Sequence, residues 1–236
     1  PEALDILDTL FTEHDVDPER PIVAAVSRYD VHKNQATIIQ AFQAYKERVK
    51  PDPAPYLIFV GNTASDDPEG EAMLEKLKDI AGDDPDITVW VNVDNNDEVV
   101  GALMRLARVF VHVSTKEGFG LVVTEAMWQG APVIGSRVGG IAKQIVHGKT
   151  GFLVDPLDVE KIVQRLDYFL THSDEAQVMG EQAREHVRTH FLIPELVRRY
   201  MILMQYYAGI NSEAPDFRLN DLSYSEVLSL MRPVPP

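Results

Sequence analysis

Short apolar runs that alternate with amphipathic stretches of ten or more residues constrain the fold of this chain most strongly. Buried parallel strands read as continuous apolar runs because helices cover both of their faces. The intervening stretches can hold the crossover helices that parallel strands require. The pattern therefore predicts an α/β fold, a Rossmann-like parallel sheet with helices on both faces. The predicted strands are 22–26, 57–60, 87–91, 109–113, 132–134 and 152–154.

The same pattern divides the chain into three segments. Residues 1–20 hold one short amphipathic stretch and are predicted to form a linker or a leading helix. Residues 21–208 are predicted to form a ligand-binding α/β domain that ends in three helices. Residues 209–236 have a weaker pattern, and we expect this tail to cross to another domain or to form a subunit contact, as in a homodimer.

Composition excludes several classes of function. The chain lacks cysteine, which rules out a disulfide framework and thiol chemistry. It lacks an apolar run of roughly 20 residues, so we expect no membrane span. A net charge of −15 argues against nucleic acid as a partner. The chain opens on Pro1 without a signal peptide or an initiating Met, so we expect a fragment of a cytoplasmic protein.

Polar side chains follow three of the predicted strands, at 28–33, 92–96 and 117–125. Ligands on an open parallel sheet bind outside the carboxyl ends of the strands. We therefore expect these three segments to converge on one ligand site.

The segment from Glu117 to Glu125 is the most informative of the three. Gly118 and Gly120 flank Phe119, so the backbone can bend sharply and come close to a ligand. A helix that starts near Gly120 presents unpaired N–H groups, which suit a phosphate or sugar hydroxyls. Both glutamates are expected to be buried near that helix end, where a carboxylate can accept two hydrogen bonds from a vicinal diol.

Arg28 and Lys33 lie just after the first predicted strand, in the loop or at the start of the next helix. Cations are unfavourable at a helix N-terminus. A bound diphosphate would explain them, with Arg acting as a fork and Lys as a point charge. The alternative is two solvated surface cations.

Candidate metal ligands are few. The acidic pairs at 66–67 and 83–84 are expected to be solvated loop residues. His186 and His190 have the i, i+4 spacing of zinc ligands, but no third ligand is evident. His112, inside an apolar strand, is interpreted as a partly buried structural side chain. We predict neither a metal nor a cofactor.

Two glutamates with seven residues between them, around Gly-Phe-Gly, resemble the signature of retaining nucleotide-sugar glycosyltransferases of the two-Rossmann-domain type, the family 4-like members of group 1. The runs 124–128 and 132–135 are most similar to the trehalose synthase and trehalose phosphorylase branch. The wider family often has Gly-Gly-x-Pro-Glu after the fifth strand. Here Gly-Gly-Ile-Ala-Lys-Gln stands at 139–144. The Gln-Ile-Val ending at 144–146, together with 66–70, is closer to the trehalose branch. The resemblance covers roughly residues 20–208.

The resemblance implies that the chain is the C-terminal, donor-binding half of a two-domain glycosyltransferase fold whose N-terminal domain is missing. It assigns Arg28 and Lys33 to the leaving diphosphate, Glu117 to the donor sugar hydroxyls and Glu125 to the ribose hydroxyls. Arg28, Lys33 and Glu117 would be the catalytic set. The remaining predicted donor contacts are the turn Gly118, Phe119, Gly120 and Leu121, and Val91 and Asn92 beside the base.

The function that the resemblance implies is transfer of glucose from a nucleotide diphosphate glucose to glucose, which forms trehalose. Alternatives are a trehalose phosphorylase, another retaining sugar transferase and a non-catalytic nucleotide-binding module. Paired carboxylates also occur in glycoside hydrolases, but Arg28 and Lys33 have no evident role there. The expected partners are a nucleotide diphosphate sugar donor, a sugar acceptor and the missing domain.

Overall fold

The predicted parallel sheet is present in the computed structural model, which describes residues 2–63, 68–93 and 96–209. All of its strands run parallel, in the order β3-β2-β1-β4-β5-β6. The strands are β1 (Ile22–Val26), β2 (Tyr56–Gly61), β3 (Ile87–Val91), β4 (Val109–His112), β5 (Val133–Ser136) and β6 (Phe152–Val154). β4 ends one residue earlier than predicted, and β5 is shifted toward Ser136.

The helices of the described residues fall where the amphipathic stretches predict them. They are α1 (Glu2–Glu13), α2 (Gln35–Val49), α3 (Pro68–Ala81), α4 (Asn96–Leu106), α5 (Leu121–Gln129), α6 (Ile141–Gln144), α7 (Val159–Thr171), α8 (Ser173–His190) and α9 (Ile193–Tyr207). No helix in this part of the chain is long and apolar enough to cross a bilayer.

Helices cover both faces of the sheet, which is why its strands read as continuous apolar runs. α2 packs against α3 and α7 on one face. α4 packs against α1 and α5 on the other, and α5 contacts α6. Successive strand residues point to opposite faces, and both Val109 and Phe110 of β4 are fully buried.

α2 shows how the sequence produces this packing. Ile38, Ile39, Phe42 and Tyr45 recur at helical spacing and are all buried against the sheet. Burial of each such side chain stabilises the fold by about 1.5–3 kcal/mol before entropy is subtracted. The helix ends at Lys50, which adopts a left-handed conformation with φ 51° and donates its N–H to Lys46 O.

A charged cluster lies at the amino-terminal ends of β1 and β3, and we call it the amino-end network. It consists of Arg20, Lys46, Asp84 and Asp86. Lys46 Nζ lies 2.5 Å from Asp84 Oδ1 and also contacts Asp86 Oδ2, while Arg20 contacts Asp86 Oδ1. Burial would raise the pKa of Asp86, but the hydrogen bonds from Lys46 and Arg20 lower it overall.

The described residues 186–209 belong to a second compact unit of the chain. In this unit Glu195 accepts hydrogen bonds from Arg198 and Arg199 on α9. The predicted tail beyond residue 209 lies outside the described residues.

The strand order fixes where a ligand can bind. The chain runs from β1 outward to β2 and β3, then returns to place β4 on the other side of β1. The carboxyl ends of β1 and β4 therefore border the crevice that such a reversal opens in a doubly wound sheet.

Candidate functional site

A cavity of about 480 Å³ lies in this crevice and brings together the four charged residues singled out in the sequence. Its described lining is Val26, Ser27, Arg28, Lys33, Gly61, Asn62, His112, Glu117, Gly120, Leu121, Val122 and Glu125. The cations follow β1 and the carboxylates follow β4, so all four lie at the carboxyl end of the parallel strands. The predicted roles of these residues remain predictions.

A short 3-10 turn holds Lys33 in place. Asp30 caps this turn, Val31–Lys33, by accepting a hydrogen bond from His32 N at 2.7 Å. Asn34 then adopts a left-handed conformation with φ 56°, which asparagine tolerates better than most residues. Its side chain donates to Pro156 O at 2.7 Å and to Val113 O at 3.1 Å. The loop that carries Lys33 is therefore tied to the end of β4.

A second connection joins the loops after β1 and β4. Thr115 N donates to His32 O at 2.8 Å. Together with the Asn34 side chain, this bond fixes the distance between Lys33 and Glu117, although 84 residues separate them in the chain.

Glu117 lies at the centre of a hydrogen-bonded cluster that we call the crevice network: Lys33, His112, Ser114 and Glu117. Lys33 Nζ lies 2.7 Å and His112 Nε2 lies 3.1 Å from Glu117 Oε2. Ser114 Oγ lies 3.0 Å from His112 Nε2 and 3.5 Å from Glu117 Oε2. The Glu117 side chain is 13% exposed. The hydrogen bond from His112, opposed by burial and reinforced by Lys33, lowers the pKa of Glu117 to about 2.

Arg28 differs from Lys33 because its guanidinium is exposed and has no ion pair or hydrogen bond with any described residue. Its backbone is nevertheless fixed, since buried Gln35 donates to Arg28 O at 2.8 Å and to Ser27 Oγ at 2.9 Å. The five N–H groups of the Arg28 guanidinium are therefore free to bind an anion that enters the cavity, while the backbone that carries them is fixed.

The prediction that both glutamates are buried is wrong for Glu125. It is exposed, because the buried side of α5 is formed by Val123, Thr124, Ala126 and Met127. Partial desolvation, followed by repulsion from Asp97, raises the pKa of Glu125. No described residue pairs with its carboxylate.

The turn before α5 depends on glycine at two places. Gly120 has φ 82°, and a Cβ there would lie 2.9 Å from Ile141 Cγ1. Gly139 packs on the same turn, so that a Cβ on it would lie 1.9 Å from Glu117 O. Gln144 Nε2 donates to Phe119 O at 2.6 Å. These contacts fix the turn between Glu117 and α5.

The turn residues differ in where they lie relative to the cavity. Gly120 and Leu121, at the uncapped start of α5, line it. Gly118 and the half-exposed Phe119 do not belong to its described lining. The N–H groups at the start of α5 are therefore the part of this turn that can reach a ligand.

Val91 and Asn92, predicted beside a base, lie at the carboxyl end of β3. Asn92 adopts φ 53°, and its Oδ1 accepts from Thr63 N at 2.9 Å. Neither residue belongs to the described lining of the cavity, and residues 94–95 of this loop lie outside the described part. Their role stays a prediction.

His112 and Ser114 are the site residues that the sequence reasoning missed. His112 is nearly fully buried, as the apolar strand around it suggested, but it contacts Glu117 rather than serving only the core. A buried polar side chain must find a partner. A histidine at the carboxyl end of an otherwise apolar strand, five residues before a glutamate, is the signal that could have identified it.

Metal binding finds no support among the described residues, where no group of three or more His, Cys, Asp or Glu side chains is placed to hold an ion. Asp84 of the 83–84 pair is bound to Lys46. The 66–67 pair lies outside the described residues.

Comparison with known proteins confirms the family that the sequence resembles. The family model described as glycosyl transferases group 1 matches residues 8–186. Trehalose synthase of Thermococcus litoralis is 43% identical over 201 residues, which is 85% of this chain and 47% of that protein. Trehalose phosphorylase of Grifola frondosa is 30% identical over an alignment of 233 positions, which covers 93% of this chain and 31% of that protein.

Among solved structures, the sucrose-phosphate synthase of Thermosynechococcus elongatus matches with a TM-score of 0.68 and 28% identity. The match covers 84% of this chain and 48% of that one. The chain spans about half the length of the trehalose synthase it matches and 31% of the length of the phosphorylase. The family match, the relatives and the sheet with its crevice agree, and the chain belongs to the group 1 glycosyl transferases.

Proposed function

We propose that this chain binds a nucleotide diphosphate glucose and that the protein containing it transfers the glucose to a second glucose, forming trehalose with retention at the anomeric carbon. The observation that carries the proposal is the convergence of Arg28, Lys33, Glu117 and Glu125 on one cavity. The 43% identity to a trehalose synthase supports the choice of product.

The cations suit a leaving diphosphate. In the proposed reaction the bond from the anomeric carbon to the phosphate oxygen breaks, and a bond to an acceptor hydroxyl oxygen forms. The hydroxyl proton passes to the departing phosphate oxygen, on which negative charge develops as its bond to carbon breaks. Arg28 offers a free guanidinium, and Lys33 gives one of its three N–H groups to Glu117. The two remaining N–H groups can bind phosphate oxygens and stabilise that charge.

The carboxylates suit the two sugars of the donor. Glu117 is ionised at neutral pH, since its pKa is lowered to about 2, and it therefore acts as an acceptor for a sugar hydroxyl. Glu125 has no partner among the described residues, and both of its oxygens are free for the vicinal hydroxyls of a ribose. Gly120 and Leu121, at the start of α5, line the same cavity as these two glutamates.

A trehalose phosphorylase is the second candidate, favoured by the 30% identity to the enzyme of Grifola frondosa across almost the whole chain. In that reaction orthophosphate and glucose 1-phosphate would occupy the same cations. Such an enzyme would have no use for a base, and Glu125 would have no ribose to bind.

Calorimetry and turnover with the full-length protein separate these candidates. We expect base-dependent binding of nucleotide diphosphates, with turnover of a nucleotide diphosphate glucose and glucose. Glu117→Gln should abolish most turnover. Binding of orthophosphate and glucose 1-phosphate without base dependence would favour the phosphorylase, and undiminished turnover by Glu117→Gln would refute the catalytic assignment of Glu117.

A further inference from the structure

The two oxygens of the Glu117 carboxylate are used unequally. Oε2 is contacted by Lys33 Nζ at 2.7 Å, His112 Nε2 at 3.1 Å and Ser114 Oγ at 3.5 Å. No described residue donates to Oε1. An ionised carboxylate oxygen has about two lone-pair sites, so Oε2 is saturated while Oε1 keeps its full capacity.

The neighbours of His112 show which atom donates in its contact with Glu117. Glu117 is ionised and can only accept, so the proton of the contact between His112 Nε2 and Glu117 Oε2 is on Nε2. Ser114 Oγ lies within reach of the same nitrogen and of Glu117 Oε2. Its hydroxyl proton can therefore be directed to the carboxylate. Both groups act as donors toward the same oxygen.

Burial makes this arrangement rigid. His112 is 3% exposed and Ser114 is fully buried, so neither can exchange its partner for water without disturbing β4 and the loop after it. A carboxylate held at one oxygen by fixed donors keeps its plane and directs the other oxygen. The Lys33 side chain alone is flexible and could not impose this orientation.

We propose that His112, assisted by Ser114, is a positioning residue that fixes Glu117 through Oε2 so that Oε1 alone receives a hydroxyl of the transferred sugar. This inference rests on the proposed function. It replaces the expectation that Glu117 grips a vicinal diol with both oxygens, and it leaves bidentate recognition to Glu125. His112 itself touches Glu117 rather than the reacting atoms.

The test compares three forms of the full-length protein: wild type, His112→Leu and His112→Gln. Donor kcat/KM is measured with nucleotide diphosphate glucoses carrying uracil, adenine or guanine, and the Kd of each nucleotide diphosphate without sugar serves as the reference. His112→Leu should lower kcat/KM about 10- to 100-fold, as expected for a lost hydrogen bond to a charged group, and change the reference Kd less than about twofold. His112→Gln, whose amide can donate to Oε2, should recover kcat/KM to within roughly threefold of wild type.

Two kinetic results would overturn the inference. One is an unchanged kcat/KM in His112→Leu. The other is an equal loss of kcat/KM in both variants together with a loss of nucleotide affinity, which would indicate a purely structural role. Carbon NMR of the Glu117 carboxyl gives a second reading that does not need turnover. Its pKa should rise in His112→Leu and stay low in His112→Gln, and an unchanged pKa in His112→Leu would also refute the inference. Absence of glucosyl transfer by the wild type would instead refute the proposed function, while the NMR titration would still decide the role of His112.

Discussion

The chain contains two partly buried charge networks at opposite ends of one sheet, and they differ in what they leave unused. In the amino-end network each oxygen of Asp86 meets a cation, and Arg20 also donates to Ala54 O at 2.7 Å and stacks on Tyr56. In the crevice network three donors converge on Oε2 of Glu117 while Oε1 and two N–H groups of Lys33 remain available.

Burial and pairing alone therefore do not distinguish a functional cluster from a structural one. Glu117 and Asp86 are both 13% exposed, and both carboxyl pKa values are lowered by hydrogen bonds from cationic or ring N–H donors. The difference is the hydrogen-bonding capacity that remains unused. The amino-end network joins α2, the segment before β1 and the segment before β3, and its Arg20 borders a cavity of about 390 Å³. Lys33, His112 and Glu117 of the crevice network line the cavity of about 480 Å³.

Replacement of Lys33 should have the largest effect if the two networks differ in this way. Lys33→Met removes a cation that would stabilise the leaving phosphate, and we expect kcat of the full-length protein to fall by about 10²–10³-fold. Lys46→Met is the matched control and should keep kcat within about twofold. Steady-state kinetics of both variants provide the measurement. Equal losses of kcat in Lys33→Met and Lys46→Met would contradict the proposed difference between the two networks.

Stability in acid should reveal what the networks share. The pKa of Glu117 in the folded state, about 2, lies below its ordinary value of 4.5, so ionised Glu117 stabilises the fold above about pH 4.5. That contribution, up to roughly 3 kcal/mol, is lost as the pH falls toward 2. Denaturant unfolding should therefore show that Glu117→Gln is less stable than wild type near neutral pH. The deficit should shrink below about pH 4.5, and a deficit independent of pH would contradict the assigned hydrogen bonds.

Lys46→Met should affect stability rather than turnover. The substitution keeps an unbranched apolar stem beside Phe42 but leaves Asp84 unpaired and Asp86 with Arg20 alone. We expect the free energy of unfolding to fall by about 1–3 kcal/mol near neutral pH. Unfolding monitored by circular dichroism measures this difference. An unchanged free energy of unfolding would show that the amino-end network contributes as little to stability as exposed surface ion pairs do.

The smallest change is expected for a carboxylate that belongs to neither network. Glu125→Gln disturbs no described hydrogen bond, so the melting temperature should remain at its wild-type value. Loss of a ribose contact should raise the KM for the donor about 5- to 10-fold with little change in kcat, the pattern of lost uniform binding. A fall in kcat without a change in KM would move Glu125 from binding to the chemical step.

Periodicity was enough to predict the sheet, because continuous apolar strands and long crossovers leave few alternatives. The carboxyl-end rule likewise predicted the convergence of Arg28, Lys33, Glu117 and Glu125, whereas Asn92 of the third predicted segment does not belong to the described lining of the cavity. Neither reasoning could give the partner of each group. That Lys33 binds Glu117 depends on loop connections such as Thr115 to His32, which carry no local signal in the sequence.

Burial of individual side chains was predicted less well than their location. Glu125 falls on the solvent side of α5, because the helix packs through Val123, Thr124, Ala126 and Met127. His112 shows the opposite case, since its burial was expected but its partner was not. In both cases the contacts made in the folded domain, rather than the local sequence, decide the environment of a titratable group.

The contact between Lys33 and Glu117 spans 84 residues and closes only when β1 and β4 are neighbours in the finished sheet. A donor molecule bound by both Lys33 after β1 and Glu117 after β4 would therefore hold these two parts of the domain together. At about one hundred times its dissociation constant it would oppose unfolding by roughly 2.7 kcal/mol. Supply of this sugar nucleotide would then govern how long the domain survives heat or proteolysis as well as how fast it works.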